Sequence, residues 1–555
     1  MQSDGKIKCN ETKKDLTGNW KEPISKDEKK AEMFFAEIIE YARKHNTTKE
    51  ELHKMKVKLA KKYGISRLPG DSEILERVPK EEKENFEFLR TKPVRTLSGV
   101  AVVAVMTSPH DCPHGKCMYC PGGVNFGSPQ SYTGKEPAAL RAVNYNYDPY
   151  LMTKGRLEQL RICGHPIDKV DLIIMGGTFT ARDLDYQEWF VKRCFDAMNG
   201  LDSKYLEDAH KLNESAESRC IGLTIESRPD WLREPQVDRC LKLGATRIEM
   251  GVQTVFDDIL KKVERGHTVD AVVEATRLVK DSGLKVGYHM MPGLPGMTME
   301  KDVEGFRTIF TDERFKPDMI KIYPTLVLKG TKLYDDWKNG RYVPYTDEEG
   351  IELIARIKKI VPKWVRIQRI ERDIPAPLID AGIKKSNLRE YAEARLKDEG
   401  LKCKCIRCRE AGHRFQDGLE PENIELTTTK YEASFGREHF IAFEDNAPER
   451  DILVGYLRLR IPSKFANRIE RPEITPDTGL IREVKVFGQM LSFGVRTQKD
   501  FQHKGFGQRL IKEAEEQASE CGMKKVAITA GVGTRNYYRK FGYELEGPYM
   551  IKLLN

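Results

Sequence analysis

The run HDCPHGKCMYCPGG places Cys112, Cys117 and Cys120 at C-x4-C-x2-C spacing. Thiolates this close bind metal in two ways. A zinc site closes with four protein ligands, and His110 or His114 could supply the fourth. A four-iron cluster takes one thiolate per iron, so three thiols leave one iron open to a small chelating molecule. Inert packing thiols are the third reading. A second run, KCKCIRCREAGH, brings Cys403, Cys405 and Cys408 together ahead of His413. It reads as a small structural zinc site whose fourth ligand is His413, solvent or a distant residue. Near the C-terminus, Gln502-x-x-Gly505-x-Gly507 runs into a helical stretch whose Leu510, Ala514 and Ala518 form an apolar stripe. Glycines there let backbone N–H groups approach a pyrophosphate at a helix N-terminus, and a plain tight turn is the alternative. Tyr537 and Tyr538 follow in GTRNYYRKFGY; adjacent helix residues cannot share a face, so one of the pair belongs to the core.

Chemistry of this kind needs a scaffold, and the text supplies one. GVAVVAVM (99–106) reads as a buried strand that ends just before the first cysteines. KVDLIIMGGTFT, CIGLTIESRPD, ATRIEMGVQT, KVGYHMMPGLPG and MIKIYPTLVL follow, with helical text between most of them. Strands recurring at roughly 30 residues with helices between imply parallel βα units and a full or partial barrel. Barrel chemistry collects at strand C-terminal ends, where the three cysteines, Gly176-Gly177, Glu226 and Gln253 all fall. The expected organisation is a basic N-terminal helical segment over 1–85, a barrel domain over 86–375, a charged linker with the second cysteine cluster over 376–425, and an α+β domain over 426–555. Residues 1–25 read as a mobile polar lead-in. The helix opening at Thr48 carries a capping-box Glu51, stops at Gly64, and is expected to turn Lys54, Lys56, Lys58, Lys61 and Lys62 outward. That lysine face is either solvated or a nucleic-acid contact.

Composition narrows the class. Hydrophobic residues are 39% and charged residues 32% of the 555-residue chain, a globular balance with no run approaching the ~18 apolar residues of a membrane span. The start has no apolar core for a signal peptide. Six of the 12 cysteines sit in two tight clusters, which suits a reducing cytoplasm rather than a secreted disulfide framework. The others, Cys9, Cys163, Cys194, Cys220, Cys240 and Cys521, read as packing thiols. A net charge of +9 is weak by itself; its distribution matters more.

The three-cysteine run after a first barrel strand, with Tyr119 before the last cysteine and MGGTF after the next strand, resembles the radical S-adenosylmethionine (SAM) superfamily. Its usual spacing is C-x3-C-x2-C, one residue shorter. The resemblance implies a [4Fe–4S] cluster on Cys112, Cys117 and Cys120, with SAM on the open iron and Gly176-Gly177 at its amino group. One-electron reduction then yields a 5′-deoxyadenosyl radical. EVKVFG, the glycine loop and GTRNYYRKFGY, in that order, resemble the GNAT acetyltransferases. That implies acetyl-CoA bound by the main chain of Glu483, Val484, Lys485 and Val486 and by the loop of Gln502, Gly505, Phe506, Gly507 and Gln508, with a tyrosine near the thioester.

Both domains in one chain, with CPGG, SYTGKEPAALRA, YDPYLMTKGRLEQL and RIQRIERDIPAP, resemble the Elongator catalytic-subunit family of tRNA uridine(34) acetyltransferases from about residue 85 to the end. The family implies hydrogen abstraction from the acetyl-CoA methyl group, addition to C5 of the wobble uridine, and thioester hydrolysis to 5-carboxymethyluridine. Lys169 in GHPIDKV matches an acetyl-CoA contact, and Tyr538 a further one. The implied partners are tRNA, on a basic surface spanning the N-terminal helices, the barrel mouth and the stretches RIQRIERD and KKSNLREYAEARLK, and an electron donor. The sequence does not require other Elongator subunits. Two rivals remain: a protein lysine N-acetyltransferase with a structural iron–sulfur domain, and a non-catalytic tRNA-binding scaffold.

Overall fold

The computed structural model describes residues 25, 27–44, 47–89, 99–487 and 505–554. The lead-in over 1–25 lies almost wholly outside them, and Gln502 entirely so. The chain divides into two compact units, residues 1–96 with 154–167, and residues 97–153 with 168–555.

The first unit contains α1 (Glu28–Lys44), α2 (Lys49–Tyr63) and α3 (Asp71–Arg77). Phe34, Phe35, Ile38, Ile39 and Ala42 recur on one face of α1 and pack with Leu52 and Leu59 of α2 and Ile74 of α3. Thr48 and Glu51 form the capping box, and Gly64 closes α2 at φ 64°. One of the five lysines departs from the expectation. Lys56 is 5% exposed and bonds to Asp71 at 2.9 Å, because its position falls on the buried side with Leu52 and Leu59. The outward cations of α2 are therefore Lys54, Lys58, Lys61 and Lys62.

The second unit opens with seven parallel strands in sequential order: β1 (Ala101–Met106), β2 (Lys169–Met175), β3 (Arg219–Ser227), β4 (Arg247–Gln253), β5 (Lys285–Met290), β6 (Met319–Ile322) and β7 (Arg366–Ile370). Helices Leu184–Asn199, Glu234–Lys242, Val269–Asp281, Met299–Thr311 and Asp347–Ile360 cross between them. Thr268, Thr298 and Thr346 cap three of these helices by accepting from backbone N–H groups. Sequence reading found six of the strands. The seventh, RIQRI, was expected only as part of a basic RNA-facing surface. It pairs instead with β6, and Arg366 is buried against Glu410 at 2.5 Å.

A second, mixed sheet runs β13-β14-β12-β11-β10-β9-β8. Its strands are β8 (Glu425–Ala433), β9 (Gly436–Asp445), β10 (Ile452–Ile461), β11 (Thr478–Val486), β12 (Lys525–Ile528), β13 (Glu544–Glu546) and β14 (Tyr549–Leu553). Leu510, Ile511, Ala514 and Ala518 of helix Phe506–Glu520 bury against β9, β10 and β11.

The two sheets are joined by buried charge. Asp318, just before β6, accepts two bonds from Arg482 of β11 at 2.7 Å and one from the Val286 N–H at 2.8 Å. Arg460 of β10 grips Asp281 at 2.7 and 2.9 Å, and Glu438 of β9 binds both Arg460 and Arg482. These side chains are 2% exposed or less. Burial of that depth is tolerated only where every charge is paired and hydrogen-bonded.

Candidate active site

Two regions carry chemistry, at opposite ends of the barrel strands. The first follows β1. The cysteine loop is pinned by Met118 N–H to Val263 O at 3.1 Å and Leu333 N–H to Met118 O at 3.1 Å. Cys117 and Cys120 are buried and Cys112 half-buried. Cys112 Sγ lies 3.7 Å from Thr178 Oγ1, just past the glycine pair. Gly176 and Gly177 take φ 119° and 97°, and a Cβ at Gly176 would collide with Thr107. Gly176 is thus needed for packing, while a Cβ at Gly177 would meet only ordinary contact with Gln130.

Two buried guanidiniums face the sulfurs. Arg265 donates to Cys117 Sγ at 3.6 Å, to Gly251 O at 2.7 Å and to His267 Nε2 at 3.2 Å. Burial opposes its charge, but Tyr119 and Cys117 outweigh that and hold it protonated. Arg228 donates to His114 Nε2 at 3.0 Å and to Arg265 O at 2.9 Å. Burial first, then Arg228 and Arg265, push His114 down to about 4, so it is neutral. Its Nε2 accepts from Arg228 and also lies 3.2 Å from Cys117 Sγ. Cationic donors around buried thiols suit sulfur that is anionic when loaded, as in an iron–sulfur cluster.

Between the N-terminal ends of the strands and the cysteine loop, polar side chains from adjacent and non-adjacent strands meet on one face of the sheet. Glu226 of β3 accepts from Tyr132 Oη at 3.0 Å, and Glu249 of β4 accepts from His289 Nε2 of β5 at 3.0 Å. Lys321 of β6 contacts Glu249 and lies 3.5 Å from Glu226. Arg247 reaches Asp171 of β2 at 3.3 Å and Glu249 at 3.2 Å. Burial raises the cost of charge on Glu249, yet Lys321, His289 and Arg247 hold its carboxyl well below the usual range. Three non-glycine residues here, Ser131, Gln253 and Glu371, adopt φ of 74°, 71° and 79°. Left-handed backbone at strand ends is strain of the kind that gathers at functional sites. The sequence reading singled out Glu226 and Gln253 and missed Glu249, His289, Lys321, Tyr132 and Arg265. The available signal was a charged or imidazole residue interrupting apolar strand text, as in RIEMGV, GYHMM and MIKIY.

The second region lies in the mixed sheet. β11 and β12 pair from Thr478↔Lys525 to Ile481↔Ile528 and then diverge. Glu483, Val484, Lys485 and Val486 continue paired only to β10, partly exposed on the other side. Gly505, at φ 80°, turns the chain into helix Phe506–Glu520, whose first turn has no acidic residue. The first-turn N–H groups of a helix, here those of Phe506, Gly507 and Gln508, suit an anion. Tyr538 is 7% exposed within the core, and Tyr537, at 40%, points its hydroxyl at Gly507. The sequence reading placed both Tyr537 and Tyr538 near the thioester, with Tyr538 as a coenzyme contact; of the two, Tyr537 has its hydroxyl beside Gly507 and Tyr538 lies in the core. Gly531 and Gly533 pack against Ile221 and Arg219 of β3, leaving no room for a Cβ. The divergent end of β11 thereby sits at the N-terminal ends of the barrel strands, where Lys169 begins β2 beside Arg219. Burial lowers the Lys169 ammonium, opposed by Asp168 and aided by Arg219.

Cys403, Cys405 and Cys408 bring their sulfurs within 4.8 Å of one another, the spacing of ligands around a single ion. Lys358 Nζ stands 3.4 Å from Cys408 Sγ and 2.8 Å from Glu393. His413 does not join the group: its Nε2 pairs with Glu410 at 3.2 Å.

Comparison with known proteins gives four family models: the ELP3 N-terminal domain over residues 32–97, the radical SAM superfamily over 106–307, the radical SAM C-terminal domain over 317–398 and the acetyltransferase (GNAT) family over 406–543. The tRNA uridine(34) acetyltransferase of Methanocaldococcus jannaschii is 52% identical over 93% of this chain and 96% of its own. Elongator complex protein 3 of Homo sapiens is 46% identical over 91% of this chain and 93% of its own. The structure of archaeal Methanocaldococcus infernus Elp3 lacking residues 1–46 matches with a TM-score of 0.73 at 49% identity, covering 83% of this chain and all of that one. Among the described residues no helix is long and apolar enough to cross a membrane.

Proposed function

We propose, since this chain belongs to the family of Elongator complex protein 3 and tRNA uridine(34) acetyltransferase, that it is a radical SAM acyltransferase acting on uridine 34 of tRNA. Its product in this reading is 5-carboxymethyluridine, made in the cytoplasm with a one-electron donor supplied from elsewhere. Cys112, Cys117 and Cys120 would hold a [4Fe–4S] cluster, with SAM on the open iron near Gly177. Bound there, the pair supplies a radical able to take hydrogen from a methyl group, which no side-chain base can do.

The chain's own groups do the rest. Arg265 and Arg228 offset negative charge at the sulfurs. The main chain of β11 from Glu483 to Val486 holds the pantetheine arm, the helix N-terminus at Gly505–Gln508 takes the pyrophosphate, and Tyr537 and Lys169 flank the acyl end. The observation that carries the reading is one of placement. The divergent end of β11 opens at one end of the barrel strands and the cysteine loop at the other, with polar side chains lining the face between. A protein lysine acetyltransferase would need no such link. Cys403, Cys405 and Cys408 would bind a structural zinc ion, with solvent or Glu393 nearest to complete it.

The test uses acetyl-CoA deuterated in its methyl group. Deuterium is expected in the 5′-deoxyadenosine released during turnover. Modified tRNA formed with no deuterium transfer would remove this function. For tRNA, Lys54, Lys58 and Lys61 of α2 are expected to contact phosphate. Each Lys→Gln replacement should weaken binding and reduce the slope of log K against log salt by about 0.9. Fluorescence-anisotropy titrations across salt concentrations read this directly.

A further inference from the structure

We propose that His289, oriented by Glu249, is the catalytic base for hydrolysis of the acyl thioester held by the acetyltransferase domain. The proposal rests on the reading of that domain as the coenzyme A site.

One face of the barrel sheet carries the polar groups and is partly exposed at several of its positions. On β2, Val170, Leu172 and Ile174 are fully buried, while Lys169, Asp171, Ile173 and Met175 between them are partly exposed. Asp171 meets Arg247 across the intervening β3, where Gly222 leaves the space between them clear. Lys285 and His289 of β5 are likewise partly exposed in the same alternation. At the floor of this face lie Arg247 and Lys285, and both feel the carboxylate of Glu483 on the divergent strand. His289 stands four residues above Lys285, about 13 Å along a strand. An acyl group on the long arm of coenzyme A, entering past Glu483, travels toward His289 on its way to the cysteine loop.

The imidazole has the form of a general base. Its Nε2–H donates to Glu249, so Nδ1 carries the lone pair, and among the described residues no hydrogen bond occupies Nδ1. Gly287 makes the dyad fit, since a Cβ there would lie 3.0 Å from Glu249 Cγ. The groups facing it are Glu249 and Arg247 from β4, Lys321 and the ring of Tyr323 from β6 and its extension, and Glu226 from β3. Glu226, Glu249 and His289 could also be read as a metal triad. Lys321 already lies between the two carboxylates, so the cation is built in. A carboxylate that fixes a histidine tautomer while the other nitrogen takes a proton is the logic of hydrolase dyads. In the step, water loses a proton to Nδ1 and its oxygen bonds to the acyl carbon. The carbon–sulfur bond breaks, the sulfur leaves as CoA thiolate and takes up the proton held on Nδ1 to give free CoA, and the carboxylic acid formed loses its remaining proton to solvent.

The test follows both products of one reaction, CoA by chromatography and 5′-deoxyadenosine, using the full chain with its cluster, SAM, acetyl-CoA and tRNA. His289→Gln is expected to lower CoA release by roughly 10²- to 10⁴-fold. Acetyl-CoA affinity by calorimetry and 5′-deoxyadenosine formation should be unchanged, and the modified nucleoside should remain joined to CoA. His289→Ala should recover CoA release on addition of imidazole, which a merely structural role would not. CoA release by both variants at the parent rate overturns the proposal. A parent chain that binds no acetyl-CoA overturns instead the reading beneath it, and the proposal with it.

Discussion

Replacing Arg265 with methionine lowers tRNA modification roughly 10- to 100-fold, the usual cost of losing an outer partner of a metal ligand. The reason lies in its three bonds. One guanidinium joins Cys117 Sγ, the Gly251 carbonyl and His267, so the sulfur, β4 and the loop after it are held as one piece. A buried N–H donor and positive charge at a thiolate stabilise the more negative, reduced state of a cluster. The variant's reduction potential should therefore fall, as read by a potentiometric titration followed by electron paramagnetic resonance. Arg265→Lys should recover little, because an ammonium cannot span three partners set by a planar fork. An unchanged potential in the methionine variant would mean that the contact with Cys117 has no electronic role.

Asp318→Asn is expected to destabilise the chain by about 3 to 5 kcal/mol, the cost of stripping one partner from a buried ion network. Asp318 receives both forks of Arg482, stands 3.5 Å from Arg458, and also accepts from the Val286 backbone. Neutralising it leaves two guanidiniums buried with too little countercharge. Burial alone would raise the Asp318 carboxyl, yet Arg482, Lys280 and Arg458 drive it far below its ordinary value. A carboxyl whose folded value lies below its unfolded one gives stability that is complete above the unfolded range near 4 and is lost as acid protonates it. The parent should thus lose stability steeply below about pH 4, and the asparagine variant should show a shallower acid dependence. Urea unfolding at pH 7 and at pH 3 checks both. Equal stability of parent and variant at pH 7 would show that the junction between the sheets does not depend on this network.

The parallel strands were legible wherever their text was apolar, because a strand buried on both sides must be nearly continuous in Val, Ile and Leu. β7 was not, since Arg366, Gln368 and Arg369 interrupt its apolar text and RIQRI reads as a basic stretch. Only the fold reveals that Arg366 answers Glu410 in the interior. β8 was missed for a related reason: ELTTTKYEA exposes most of its length, and its apolar signal is thin. Local helix signals were reliable, as with Thr48, Glu51 and Gly64, because caps depend on neighbours in sequence. Lys56 failed that test because its partner, Asp71, lies on another helix. At the site, motifs announced the cysteines and the glycine loop. The polar groups that meet between strands did not announce themselves, since Glu249, His289 and Lys321 lie far apart in the chain and acquire meaning only when β4, β5 and β6 align. Tyr537 and Tyr538 were told apart by burial, which one sequence does not encode for adjacent residues.

The most direct measurement of the whole account is mass spectrometry of tRNA nucleosides after anaerobic incubation of the reconstituted chain with reductant, SAM, acetyl-CoA and tRNA. The account predicts 5-carboxymethyluridine at position 34 with all components present. None should form when SAM is omitted or Cys117 is replaced by alanine, while tRNA binding persists in both. Equal modification without SAM, or by the Cys117→Ala variant, would contradict it.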